Sequence, residues 1–386
     1  MNSVLVVIPP TPEAPSGVAP DTVVAGLPLL RRIALAGLSV GYGPVLVRST
    51  QPTVERLLAG TAAVALTASD RIPAASRLRV VLLPGNVVPQ PSWLQALQEL
   101  PLDGETLYVD PSGTMVIETD RAGAVVAAAA GCASAPDLGT ELRRTFHAVD
   151  RPLDPGGRFP LNTLRDVRAA EGWLLRSLVK RSEGFMSRHV ERRVSLALTR
   201  RLVATRITPN AMTLVSVAIG LCGAPFFLSS SPGPQFAGAL LFLLHSIVDG
   251  CDGELARLTF QSSRRGAILD FWGDNVVHAA VFGCIAVGWS LDVRAGWPLA
   301  VGAVAVAGTL GSAVAVFGPT VRDAVPGRDA PAGARLAEAL AHRDFIYLIV
   351  LLAAFGRAAW FLILAAAGTP IFMLLVFCTR RRGPGR

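Results

Sequence analysis

The stretch D-G-C-D-G-E-L-A-R-L-T-F-Q-S-S-R-R-G-A-I-L-D-F-W-G-D, residues 249–274, sets four carboxylates between two apolar segments. Its flanks, 240–248 and 276–287, are apolar enough to lie in a bilayer. Ionisable groups kept in or beside such helices are costly, and they mark a substrate or ion site. Asp249 and Asp252 are three apart and share one helix face; Asp270 and Asp274, four apart, share a face of the next helix. Gly253 and Gly266 flank the intervening turn, where a missing side chain lets a ligand approach the backbone. Two carboxylate pairs on adjacent helices suit divalent cations, which take oxygen ligands. The bland alternative, solvated acids on two surface helices, is opposed by the apolar flanks.

The spacing D-x-x-D-G-x-x-A-R, eight residues, G-x-x-x-D-x-x-x-D resembles the signature of the CDP-alcohol phosphatidyltransferase family, and Asp249, Asp252, Gly253, Ala256, Arg257, Gly266, Asp270 and Asp274 fill every specified position. The resemblance implies two divalent ions, Mg²⁺ or Mn²⁺, held by Asp249, Asp252 and Asp270, with Asp274 as the general base that also touches the second ion. It implies that Arg257 pairs with donor phosphate and that Gly253, Ala256 and Gly266 leave room for cytidine and ribose. Thr208 and Asn210 are implied nucleotide contacts. The reaction implied moves a phosphatidyl or phosphoinositol group from a CDP-linked donor (CDP-diacylglycerol or CDP-inositol) to a hydroxyl of a polyol or polyol phosphate, with release of CMP. A homodimer is implied as well. His245 and His278 continue the two aspartate faces; both are read as interhelical hydrogen-bonding groups and left outside the site.

Composition agrees with a membrane enzyme carrying a soluble attachment. Of 386 residues, 51% are hydrophobic, and the length suggests two or three domains. The net charge of +8 comes from Arg residues clustered beside apolar spans, a pattern that fits membrane orientation and anionic lipid and argues against nucleic acid. Five cysteines without C-x-x-C spacing exclude a disulfide frame or zinc site and fit a reducing compartment. Residues 1–10 have no basic leader before their apolar run, so they do not read as a secretory signal.

Spans of the roughly 17–25 residues needed to cross hydrocarbon are expected at 211–229, 236–255, 267–289, 297–317, 345–365 and 358–377. The last two overlap, and one long tilted span is the competing count. Basic residues crowd 176–206, the turn with Arg257, Arg264 and Arg265, the segment 322–343 and the tail 380–382, whereas 230–235 and 291–296 are nearly free of them. The positive-inside rule then puts both termini in the cytosol, which requires an even number of spans. Six fits, in a multi-pass protein of the inner (plasma) membrane, with the aspartates at the cytosolic edge. Arg322, Arg328, Arg335 and Arg343 are either an acceptor-phosphate site or an ordinary loop charge run.

Residues 1–150 read as a soluble α/β domain. Short apolar runs at 3–8, 45–47, 62–66 and 79–83 suit buried parallel strands, 27–36, 53–59 and 92–100 suit connecting helices, and 106–108 with 114–118 suit a hairpin. This order resembles a nucleotidyltransferase domain, but Pro9-Pro10-Thr11-Pro12 stands where a Gly-rich, basic phosphate loop belongs, and Asn86 replaces a carboxylate. The domain is expected to be inactive. Residues 151–165 read as a Pro/Gly-rich linker, 166–206 as basic juxtamembrane helices, and 207–386 as the membrane all-α six-helix phosphotransferase domain. Val194, Leu198 and Leu202 form an apolar stripe among arginines, suited to an anionic membrane surface. The stretches K-R-S-E-G-F-M-S-R (180–188), R-V-S (193–195) and I-T-P-N (207–210) resemble the join in the bifunctional di-myo-inositol-phosphate-phosphate synthase branch of the family. An ion-binding protein or transporter using the same aspartates is the alternative; it is disfavoured because no second copy of the motif lies in 211–386.

Overall fold

The computed structural model describes residues 3–10, 17–49, 52–67, 77–179, 190–323 and 345–381, which divide into two compact units, 1–176 and 177–386. The first is built on a seven-stranded mixed sheet. Its strands are β1 (Ser3–Ile8), β4 (Val45–Arg48), β5 (Val64–Leu66), β6 (Leu78–Pro84), β8 (Thr106–Val109), β9 (Met115–Thr119) and β10 (His147–Asp150). Two separate two-stranded antiparallel sheets are formed, β2 (Val23–Val24) with β3 (Leu27–Pro28) and β7 (Val87–Pro89) with the distant β11 (Arg158–Pro160). The order is β10-β8-β9-β6-β1-β4-β5, with β9 antiparallel to both neighbours and the other pairs parallel.

The near-continuous apolar runs of β1 and β6 reflect burial on both faces. Val4, Val6, Ile8, Val80 and Leu82 pack with residues of α4 (Ala122–Gly131) and α5 (Ala135–Thr145). The alternate face meets α1 (Leu29–Ser39): a Cβ on Gly37 would lie 2.5 Å from Leu5 Cδ2. Both connecting helices α2 (Pro52–Leu58) and α3 (Pro91–Glu99) fall where the periodicity puts them. The sequence reading missed α4, whose run A-G-A-V-V-A-A-A-A-G has no polar stripe to mark a period.

The expected linker 151–165 is instead folded into this unit. Asp110, buried after β8, accepts two hydrogen bonds from Arg158 Nη2 at 2.7 and 2.8 Å and one from Leu153 N at 2.7 Å. A Cβ on Gly157 would lie 2.4 Å from Trp93, so glycine there permits close packing and does not signal looseness. Helix α6 (Asp166–Ser177), expected beside the membrane, also belongs here: Glu171 accepts from Ala25 N at 3.0 Å. Arg32 caps the Val24 and Ala25 carbonyls from within; burial lowers its guanidinium to about 10, with Glu171 opposing that shift.

The second unit is helical. It contains α7 (Arg192–Leu202), α8 (Pro209–Gly223), a 3₁₀ turn (Ala224–Leu228), α9 (Pro232–Thr259), α10 (Arg264–Val293), α11 (Trp297–Asp323), α12 (Phe345–Ala354) and α13 (Ala358–Arg381). Four segments, Pro209–Leu228, Pro232–Thr259, Arg264–Val293 and Trp297–Phe317, are long and apolar enough to cross a membrane; α12 and the apolar Ala358–Leu374 are shorter. The overlap expected between the last two spans resolves into separate helices. Gly356, at φ +67°, breaks the chain between them.

Phe227, Phe242, Val281, Phe282, Ile349 and Phe361 form the centre of the bundle. Small residues set the spacing: a Cβ on Gly220 of α8 would lie 2.5 Å from Val277 of α10 and 3.1 Å from His245 of α9. Residues 180–189 and 324–344, including Arg328, Arg335 and Arg343, lie outside the described residues, as do Thr11 and Pro12.

Candidate active site

The turn 260–263 makes α9 and α10 antiparallel neighbours. It opens with Phe260 at φ +56° and closes with Ser263, whose Oγ accepts from Gly266 N at 3.0 Å and caps α10. Helical rise then fixes depth. Counting from the turn, Asp252 and Asp270 stand about 10 Å up their helices and Asp249 and Asp274 about 15 Å. Each aspartate of α9 is thus level with one of α10, at one end of both helices.

Carboxylate oxygens of Asp249, Asp270 and Asp274 all lie within 4.8 Å of one another. Asp249 is buried, while the other two are half-buried and open to one side. Three charges this close repel on the order of 3–4 kcal/mol per pair at an effective dielectric of 20. A cation among them removes that repulsion, and an all-carboxylate donor set suits a hard divalent ion. The residues present therefore fit a metal such as Mg²⁺ or Mn²⁺.

Asp252 is buried outside that trio, and its Oδ2 accepts a hydrogen bond from the Thr213 hydroxyl of α8. The other expected residues belong to α8, α9 and α10. Thr208 caps α8, its hydroxyl accepting from Ala211 N at 3.3 Å. Asn210, two residues on, faces the start of α10: a Cβ on Gly266 would meet its Oδ1 at 2.8 Å. Only glycine leaves that approach open. Arg257 is exposed, with its guanidinium folded back toward Gly253, where a Cβ would lie 3.4 Å from Nη1. Ala256 is half-buried on α9 and contributes no polar atom.

One histidine left outside the site by sequence belongs beside it. His245 is buried on α9, with Nδ1 2.9 Å from the Ser216 carbonyl and Nε2 3.5 Å from Asp274 Oδ1. Its signal in the sequence is position alone, one turn before Asp249. His278 Nδ1 lies 2.7 Å from the Asp274 backbone carbonyl, and its ring stands edge-on to Phe242. That hydrogen bond is internal to α10, whereas the ring contacts with Phe242 and Phe345 reach other helices. Thr213 and Glu254 were also missed. Each sits at an unspecified position of the motif or outside it, and its partners come from another helix.

Residues 206–372 match the CDP-alcohol phosphatidyltransferase family. The chain is 36% identical over 153 residues to the bifunctional IPC transferase and DIPP synthase of Rubrobacter xylanophilus, covering 39% of this chain and 34% of that protein. It is 33% identical over 99 residues to the phosphatidylinositol phosphate synthase of Mycobacterium marinum, covering 26% and 42% of the two chains. The matched stretches therefore span well under two thirds of these relatives' lengths. Among solved structures, the chain aligns with Mycobacterium tuberculosis phosphatidylinositol phosphate synthase with CDP-DAG bound, at 20% identity and a TM-score of 0.37, covering 50% of this chain and 96% of that one.

Proposed function

From the membership of residues 206–372 in the CDP-alcohol phosphatidyltransferase family, we propose that the protein is an integral-membrane phosphotransferase that moves a phospho-alcohol group from a CDP-linked donor to an acceptor hydroxyl and releases CMP. The observation that carries this reading is the meeting of Asp249, Asp270 and Asp274 within 4.8 Å, with an exposed Arg257 about two turns along the same helix as Asp249, in a chain that fills the whole family motif. Asp249, Asp252, Asp270 and Asp274 would hold two Mg²⁺ or Mn²⁺ ions. Such ions, when bound, neutralise phosphoryl oxygens and stabilise the departing phosphate.

The chain's own groups do the rest. Arg257, exposed at the rim, pairs with donor phosphate through its planar fork. Thr208, Asn210 and the side-chain-free faces of Gly253 and Gly266 receive cytidine and ribose, with Ala256 between them. Asp274 takes the acceptor proton on a carboxylate oxygen, and His245 on its far side holds that carboxylate in orientation.

In this reading the donor is CDP-diacylglycerol or CDP-inositol, and the acceptor is a polyol or polyol phosphate. The relatives named for IPC transfer, DIPP synthesis and phosphatidylinositol phosphate synthesis support an inositol-type alcohol on one side of the reaction. The apolar chain over 345–377 is taken to supply the fifth and sixth spans, with both termini and the aspartates on the cytosolic side of the plasma membrane, and the protein as a homodimer. Purified protein with Mg²⁺ or Mn²⁺ should release CMP from CDP-diacylglycerol or CDP-inositol when a polyol phosphate is supplied. Absence of CMP release across a full donor-by-acceptor screen, with cation binding retained, would favour the ion-binding alternative.

The first unit is proposed to be nucleotidyltransferase-like and inactive. The mixed strand order, parallel from β5 through β6 and then antiparallel at β9, supports the first half of that reading. At the end of β1, Pro9 and Pro10 offer no N–H, and the nearby Gly85 N–H is spent on the Ile8 carbonyl at 2.7 Å. Among the described residues at the end of β1, a triphosphate would find no free backbone N–H. The full chain incubated with CTP, Mg²⁺ and inositol 1-phosphate should yield no pyrophosphate above background; clear CDP-inositol formation refutes this.

A further inference from the structure

Glu254 is fully buried in a helix that faces lipid elsewhere, and its surroundings are specific. Its Oε1 accepts from Arg192 Nη1 at 2.8 Å and from Ser195 Oγ at 2.7 Å, and its Oε2 accepts from Thr199 Oγ1 at 2.6 Å. The three donors are i, i+3 and i+7 of α7 and form one polar stripe. Around them the contact is tight: a Cβ on Gly250 would lie 3.2 Å from Arg192 Nη1, and Cys251 Sγ lies 3.6 Å from the Ser195 carbonyl. Leu198 and Leu202, read from the sequence as a lipid-facing stripe, instead pack on Met212, Val248, Cys251 and Leu255; Val194 remains exposed, with Arg193, Arg200 and Arg201.

An apolar contact of this size would hold α7 as firmly, because burying an ion pair gains little over well-packed hydrophobic residues. It would not fix the helix's register. Three directional bonds to one carboxylate do, since sliding α7 by a residue leaves a buried charge unsatisfied. The short path from α7 to the nucleotide contacts makes that register matter. The connection 203–207 is five residues long, Val203 packs on the same cluster, and Thr208 then caps α8 with Asn210 set against Gly266.

We infer that Glu254 is a positioning residue for donor binding: its buried carboxylate pins α7 to the aspartate helix and, through residues 203–207, holds Thr208 and Asn210 in register with Gly266. The inference rests on the proposed role of those two residues as nucleotide contacts. Glu254 itself touches no substrate. Its effect belongs in donor affinity and not in the chemical step.

The test uses the full chain in lipid nanodiscs with Mg²⁺ and three variants: Glu254→Ala, Glu254→Gln, and an apolar repacking of the whole cluster (Arg192→Met, Ser195→Ala, Thr199→Val, Glu254→Met). CMP affinity by calorimetry, donor KM and kcat, and amide exchange over 192–206 are read for each. Glu254→Ala should raise the CMP Kd and donor KM about tenfold, the effect of a lost charged hydrogen bond, while kcat stays within about threefold of wild type. Exchange over 192–206 should rise in parallel, and Glu254→Gln, which keeps an acceptor, should fall between. The apolar cluster should restore slow exchange but, with no directional bonds to set the register of α7, should leave CMP affinity weakened. Wild-type CMP affinity in Glu254→Ala overturns the inference. So does an apolar-cluster variant with slow exchange and wild-type CMP affinity, because packing alone would then place Thr208 and Asn210. If Glu254→Ala does not fold, the Gln and apolar variants still decide. A wild-type protein that binds no CMP overturns the functional reading, and this inference with it.

Discussion

Asp249→Asn, Asp252→Asn and Asp270→Asn are each expected to abolish turnover while the protein still inserts and purifies. The reason is charge and not shape. Asparagine keeps the volume and an acceptor oxygen but lacks the negative charge that attracts a divalent ion. Losing one of three carboxylates within 4.8 Å removes both a ligand and much of the field holding the ion. Activity should fall below about 10⁻³ of wild type, because several kcal/mol of transition-state charge stabilisation goes with the metal. Asp252 is the most informative of the three. It lies outside the trio, and its amide could still accept from Thr213, so a full loss in Asp252→Asn would trace to charge alone. Chelation of wild type should mimic the variants and be reversed by added Mn²⁺. Near-normal activity of any one variant at micromolar Mn²⁺ would falsify the assignment of that residue as a ligand.

Asp274→Asn should behave differently. If Asp274 chiefly removes the acceptor proton, the variant should bind the CDP donor almost as wild type does and lose the chemical step by about 10²–10⁴-fold, the usual worth of general-base assistance. A carboxamide accepts hydrogen bonds but takes up no proton at neutral pH. Asp270→Asn, by contrast, should weaken metal-dependent donor binding. Calorimetric titration of a CDP-alcohol into both variants in Mg²⁺ separates the two. The proximity of Asp274 to Asp249 and Asp270 makes the comparison sharp, since geometry permits it to serve as ligand, base or both. If Asp274→Asn loses donor binding as severely as Asp270→Asn, its main role is holding the ion.

Local rules account for most of what was legible in advance. Helical periodicity pairs Asp249 with Asp252 and Asp270 with Asp274, and a four-residue turn after Thr259 turns α10 back so that its side chains reach those of α9. The meeting of carboxylates from both helices follows from those two facts, which are properties of a contiguous stretch of chain. The alternation of buried runs with amphipathic helices in residues 1–109 is equally local, and those elements appear within a few residues of their expected places.

Several features were decided only by tertiary structure, because their partners are far apart in sequence. Residues 151–165 have the composition of a linker, yet Asp110 binds Arg158 across 48 positions and converts the segment into part of the first unit. His245 is an ordinary polar residue in an apolar helix until α10 brings Asp274 to 3.5 Å. Ser195 and Thr199 look solvated in an arginine-rich helix, but Glu254, more than fifty residues away, draws them inside. Composition and spacing pointed to the proposed class of chemistry, since hydropathy and helical period act between near neighbours. Which donor meets which acceptor was settled by packing: a buried polar group takes whatever partner the fold delivers, and no local pattern encodes that choice.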